Sequence, residues 1–398
     1  MTQETLDKLA DLVVGFGANV QPGQVLAITS EPGKEDFTRA LAASAYRAGA
    51  KFVDPWYFDY HVKRARLIHG READLSFVPP WYSHRLLALS EGRCARIALT
   101  GAAHPDLFAD VDPERAGKDL LPALQEGGDV VNARTTNWCG VPCATPGWAK
   151  LVHPDLPEDE ALERLWDQLL HILRMDAEDP QAAWQERVNA LKRSAATLNE
   201  RHFDALRFRG EGTDLTVGLL PGSRWLAAQF DTVEGITHMP NLPSEEVFTT
   251  PDPERTEGVV TATKPLSLGG SIIRGLRVEF AGGRVTKIDA DENAEVLRAY
   301  AARDEDAGRL GEVALVDGEG RIGPLNTVFY DTLLDENAAS HIALGSAYTF
   351  AVEGDDVARA NRSAIHVDFM IGSPDVVVEG TATGGETVPV LHAGHWQI

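Results

Sequence analysis

The sequence predicts an α/β protein in two parts: an N-terminal α/β domain with a largely parallel sheet, followed by a β-rich α+β domain. Three observations lead there. The first half alternates segments of helical period with segments of strand period. From residue 203 the texture turns to short β-like runs. The chain's 398 residues, 43% of them hydrophobic, exceed what a single core usually needs. The expected division is 1–200, an α/β domain with a helical connector, and 201–398, the β-rich domain.

Leu6, Leu9, Leu12 and Val13 recur at helical spacing, so the chain opens on an amphipathic helix. Gln24 to Thr29 reads as a strand, a helix from Phe37 to Tyr46 ends at Gly49, and Lys51 to Asp54 is the next strand. Residues 94–99, CARIAL, form another. Strands separated by helices of this length imply a largely parallel sheet. No Gly-x-Gly-x-x-Gly and no Gly-x-x-x-x-Gly-Lys-Ser/Thr stands at a strand end, so nothing marks a nucleotide site. The stretch NARTTNWCGVPCATPGWAK (132–150) is rich in turn formers. A mostly helical connector follows over about 158–200, interrupted near Pro180, with Leu162, Leu165, Leu169 and Ile172 on one side. Beyond it, Gly275–Phe280 and Arg284–Ile288 flank Gly282-Gly283, a strong hairpin signal. Helices are expected only around 291–307 and 327–338.

Sixty acidic residues against 37 basic give a net charge of −23. Such a surface repels phosphate backbones and argues against a nucleic-acid partner. It favours metal cations and substrates with a free amine, or simply keeps a cytoplasmic protein soluble. Cys94, Cys139 and Cys143 are an odd count in a long chain and do not form a disulfide framework. The start, MTQETLDKLADLVV, carries acids and periodic leucines rather than a basic region and an apolar run, so it is not read as a signal peptide. No stretch approaches a membrane span. The expected compartment is the cytoplasm.

Polar residues interrupt apolar patterns in the second half. In Ser363–Ile371, His366 and Asp368 fall two apart and point together from a strand, while Ile365, Val367 and Phe369 take the other face. That pair suits metal ligation, or a buried His–Asp hydrogen bond. Glu312 sits near the start of an apolar strand, LGEVALV, which has no structural need of a carboxylate. DENAASHIALG places Glu336 and His341 in a small, apolar stretch. Five apart, they do not share one face of a straight helix, so His341 is expected at or beyond a helix end. In NLPSEEVF, Glu245 and Glu246 point opposite ways if the loop is extended, and only one can be a ligand. Jointly these segments offer four carboxylates and two imidazoles. That inventory matches two divalent ions, whose charge would cancel carboxylates too costly to bury together without it. Oxygen and nitrogen ligands without thiolate admit zinc, cobalt, manganese or magnesium.

Taken in order and spacing, NLPSEEVFTTP (241–251), the Glu312 strand, DENAASHIALGSAY (335–348) and HVDFMIG (366–372) resemble the M29 metallo-aminopeptidases, thermophilic enzymes of the aminopeptidase T/S type. The resemblance runs from end to end. It implies a two-ion site with Glu246, Glu312, Glu336, His341, His366 and Asp368 as ligands, Glu312 bridging the ions and Tyr348 as a catalytic side chain. It also implies a homodimer, an α/β N-terminal domain and a β-rich catalytic one.

The mechanism so implied is attack of an ion-activated water on the first peptide bond of a peptide with a free N-terminus. Tyr348 would donate to the oxyanion, and the general base would be Glu245 or a ligating carboxylate. The alternatives are another two-metal amidohydrolase acting on small substrates, and a metal-stabilised binding protein without turnover. His-x-His and early Asp-rich clusters, common in the former, are missing here.

Overall fold

A computed structural model of the chain describes residues 1–119, 121–122 and 124–398. Two compact units emerge, Met1–Arg187 with Ala228–Ser244, and Val188–Ala227 with Glu245–Ile398.

In the first unit, α1 (Gln3–Leu12) buries Leu6, Leu9 and Leu12, as their spacing requires, and the Thr2 side chain caps it by accepting from the Thr5 N–H. Strand β1 (Val25–Ser30) leads to α2 (Glu35–Arg47), and the chain then turns through Gly49 at φ +92°. Next come β2 (Phe52–Tyr57), α3 (Tyr60–His69), α4 (Pro80–Glu91), β3 (Ala95–Thr100) and β4 (Trp138–Pro142). The four strands are all parallel, in the order β2–β1–β3–β4.

The winding reverses beside β1, and open α/β sheets take ligands in the crevice at such a reversal. Here Lys34, 2% exposed, fills that end of the sheet. Its Nζ lies 2.5 Å from Glu31 Oε1 and donates to Thr100 O at 2.9 Å. That plug accords with the lack of any nucleotide motif. Cys94, Cys139 and Cys143 are free and buried.

The connector is two helices, α5 (Glu158–Ile172) and α6 (Pro180–Arg201). Pro180 opens the second one, where a missing N–H costs nothing. Leu165, Leu169 and Ile172 are buried on α5.

In the second unit, β5 (Phe203–Gly210), β6 (Thr213–Leu219) and the short β7 (Leu226–Ala227) precede β8 (Glu246–Thr249) and β9 (Pro251–Thr261). The Gly282-Gly283 turn joins β10 (Arg277–Ala281) to β11 (Arg284–Asp289), both glycines having positive φ. After α7 (Ala294–Ala301) come β12 (Leu310–Val316), α8 (Thr332–Glu336), β13 (His341–Gly345) and β14 (His366–Met370). The chain ends on β15 (Val377–Ala382), β16 (Thr387–His392) and β17 (His395–Trp396).

These strands form an eight-stranded antiparallel sheet, β11–β10–β9–β6–β5–β15–β16–β17, and a five-stranded one, β14–β13–β12–β8–β7. The mixed α/β half with its parallel sheet and the β-rich half after it are the predicted fold class. Both late helices are shorter than their sequence pattern suggested. In α8 the reason is local: Asp331 caps the start, accepting from the Leu334 N–H, and the backbone leaves the helix at Asn337.

Candidate metal centre

Four adjacent strands of the five-stranded sheet carry the polar residues that stood out in the sequence. Glu246 opens β8, Glu312 is on β12, His341 opens β13, and His366 and Asp368 are on β14. Cross-strand register sets their spacing. Ala343 pairs with Glu312 on one side and Asp368 on the other, and Ala314 pairs with both His341 and Phe248. Methyl groups at these two positions leave open space between the larger ligand side chains. Glu336 arrives from the last residue of α8. His341 lies beyond the helix end, at the start of a strand, and that change of element lets two residues five apart converge.

The convergence is tight. Glu246, Glu312 and His341 form one group of potential ligands, Glu312, His366 and Asp368 a second, and Glu336, His341 and Asp368 a third, with ligand atoms of each group within 4.8 Å of one another. His341 Nε2 lies 2.9 Å from Glu246 Oε2 and 3.8 Å from Glu312 Oε1. His366 Nε2 lies 3.4 Å from Glu312 Oε2 and 3.4 Å from Asp368 Oδ2. The two oxygens of Glu312 thus face different imidazoles.

The donors fit divalent cations. Each imidazole directs its Nδ1 to a backbone carbonyl, His341 to Ala339 O at 3.1 Å and His366 to Ser346 O at 2.8 Å. With Nδ1–H donating there, each Nε2 faces carboxylate oxygens, an arrangement that repels unless a proton or a metal cation lies between. Glu246 Oε2 is buried and, despite its 2.9 Å approach to His341, makes no hydrogen bond of acceptable geometry. These clusters are consistent with a two-metal active site.

Electrostatics agree. Burial, then the nearby Asp368 and Glu246 charges, hold the Glu336 carboxyl well above its ordinary range, and burial also raises Glu246. Burial would lower His341, but Glu246 and Glu312 outweigh it and the net shift is well upward. For His366 the same opposition, with Asp368 as the leading partner, also ends well upward. Burial would raise Asp368, yet His366 brings it below its usual value.

A pH dependence follows. Glu336, His341 and His366 have folded pKa values above their unfolded ones, so their stabilisation holds at low pH and is lost as pH rises through the folded values. Asp368, shifted down, loses its contribution only in acid. Bound cations replace the missing protons. The melting-temperature gap between metal-loaded and chelated protein should therefore widen from about pH 4.5, the unfolded glutamate value, and further above about pH 6.5, the unfolded histidine value. Thermal melts across that range check this, and a constant gap would contradict it.

Tyr348 stands past the end of β13. Gly345 makes that exit possible: its φ is +102°, and a Cβ there would meet Ile365 O at 2.2 Å. The Tyr348 ring packs 5.3 Å from His366, 5.3 Å from Phe350 and 5.6 Å from Phe248, centroid to centroid. Burial pushes its phenol above the usual range, so it stays protonated. Glu245 belongs to none of the three groups. It is wholly buried, close to Gly320, and its N–H donates to Asn337 Oδ1 at 2.6 Å. Asn337, Ala314 and Ala343 shape the site, and sequence reasoning passed over all three.

Clustered carboxylates and imidazoles that share members, with no thiolate among them, are the equipment of a metal-dependent hydrolase. Comparison with known proteins narrows that class. The thermophilic metalloprotease (M29) family matches residues 2–396, and the chain belongs to it. It is 44% identical to aminopeptidase T of Thermus aquaticus over 99% of both chains, and 35% identical to aminopeptidase AmpS of Bacillus subtilis over 99% of this chain and 98% of that one. The solved structure of wild-type AmpT from Thermus thermophilus superposes with a TM-score of 0.88 at 41% identity, covering 99% of each chain.

Proposed function

We propose that this metallo-aminopeptidase hydrolyses the N-terminal bond of peptides at a centre of two divalent ions held by Glu246, Glu312, Glu336, His341, His366 and Asp368. The observation that carries the assignment is Glu312, whose Oε1 and Oε2 face His341 and His366 respectively and so suit a ligand shared by two ions. The chemistry such ions supply when bound is polarisation of a carbonyl and easier ionisation of water. Zinc, cobalt, manganese and magnesium all suit the ligand set.

The remaining steps belong to the chain's own residues. The neutral Tyr348 hydroxyl donates to the carbonyl oxygen as negative charge develops there. A carboxylate of the cluster takes the proton from the attacking water. Glu245, outside the ligand groups and held through its backbone N–H by Asn337, is the alternative acceptor of that proton. The His366 side chain is 28% exposed against 1% for His341, so substrate enters on the His366 and Tyr348 side. Contact of the substrate's free amine with this centre confines cleavage to chain ends.

The same reading takes 1–200 and 201–398 as the N-terminal and catalytic domains of a cytoplasmic homodimer without nucleic-acid or membrane partners. The −23 charge supports the lack of a nucleic-acid partner. In addition, among the described residues no helix is long and apolar enough to cross a membrane.

Acetylating the N-terminus of a good substrate is expected to abolish cleavage, while the free peptide loses single N-terminal residues. Mass spectrometry of the products checks this. Internal fragments, or equal rates on the blocked peptide, would replace the aminopeptidase with an endopeptidase or general amidase.

A further inference from the structure

We propose that Asn337 is a positioning residue that sets the spacing of two carboxylates, Glu246 and Glu336, through the two ends of one buried amide. The inference rests on the metal-centre reading above. Asn337 is 1% exposed. Its Oδ1 accepts the Glu245 N–H at 2.6 Å. Its Nδ2 donates to Leu333 O at 2.9 Å and, at a longer 3.5 Å, to Glu336 Oε1.

Each bond acts at a defined point of the fold. Leu333 O is one of the carbonyls that the end of α8 leaves without a helical partner, and the amide supplies the missing donor. The helix is thereby closed one residue after Glu336. The Glu245 N–H immediately precedes β8, so the same side chain pins the head of the strand at Glu246. Flipping the amide would set its NH2 against an N–H and its oxygen against two oxygens, so the network admits one orientation.

What the amide joins is the two carboxylate-bearing ends of the cluster. Glu246 Oε2 is 2.9 Å from His341 Nε2, and Glu336 groups with that same histidine and Asp368. An aspartate keeps the acceptor and loses the donor, and an alanine loses both.

The test uses full-length protein freed of metal, titrated calorimetrically with Zn2+, with a thermal melt of each metal-free variant alongside. Asn337→Asp leaves the Glu245 N–H satisfied but sets a second carboxylate against Glu336. It is expected to weaken Zn2+ binding by about 10- to 100-fold, the usual cost of losing a partner that orients a ligand. Asn337→Ala frees both ends and is expected to cost at least as much. In a Glu336→Gln background the aspartate should cost clearly less, because the charge it acts on has gone and only the Leu333 bond is lost.

Wild-type Zn2+ affinity in Asn337→Asp, with only the melting temperature lowered, would reduce Asn337 to a helix cap and overturn the inference. So would a loss undiminished by Glu336→Gln. Should Asn337→Ala fail to fold, the aspartate variant and its double mutant still decide. Failure of the wild-type protein to bind Zn2+ is a separate result, overturning the metal centre and this inference with it.

Discussion

Tyr348→Phe is expected to leave the fold and the metal content intact, change KM little and lower kcat by about a hundred- to a thousandfold. That range corresponds to roughly 2.7–4 kcal/mol, the usual cost of removing one oxyanion donor. The argument starts from the ring. Phe248, Phe350 and His366 all pack against it, so phenylalanine retains the contacts that hold it in place. Burial keeps the hydroxyl protonated, so its removal takes no charge from the centre, and it belongs to none of the ligand groups. Its contribution therefore appears only as charge develops on the carbonyl oxygen. A merely structural tyrosine makes the opposite forecast, with a lower melting temperature and nearly normal kcat in the folded protein. Steady-state kinetics beside a melt, on metal-saturated protein, separates the two. Unchanged kcat would remove Tyr348 from the mechanism.

Glu312→Gln is expected to have the largest effect on metal binding. Its two oxygens face different histidines, so losing its charge weakens both halves of the centre at once. Disturbing a residue that only orients a ligand costs about 10- to 100-fold in affinity, and a shared ligand should reach or pass the upper figure. The substitution is nearly isosteric on a strand buried at every position, so the sheet should survive it. Turnover should fall with the metal. Elemental analysis after dialysis and a chelator-competition titration measure the loss. Two ions per chain at wild-type affinity would show that Glu312 is not the shared ligand.

Much of the architecture was legible because it is local. The leucines of α1, the Pro180 break, the Gly282-Gly283 hairpin and the alternation around His366 and Asp368 each state a backbone period or a turn requirement within a few residues. Alternation also separated Glu245 from Glu246, and the structure brings only the latter into a ligand group.

Other features stayed hidden. Glu336 and His341 meet because a helix ends between them and a strand begins, which no single period describes. Ala343 looks like an ordinary core methyl until register places it between Glu312 and Asp368. Asn337 reads as a helix-end residue until its far side meets the Glu245 backbone.

By itself, the sequence determined which residues can face together along each element, the chemical character of the ligands, and the order of an α/β half and a β-rich half. Tertiary structure alone decided which carboxylate faces which imidazole, that the two oxygens of Glu312 face different ones, and that Glu245 lies outside the potential ligand groups. The physical reason is range. Side-chain direction along a strand or helix follows from neighbouring residues, whereas ångström-scale spacing between ligands follows from cross-strand register, and register is set by packing over the whole sheet.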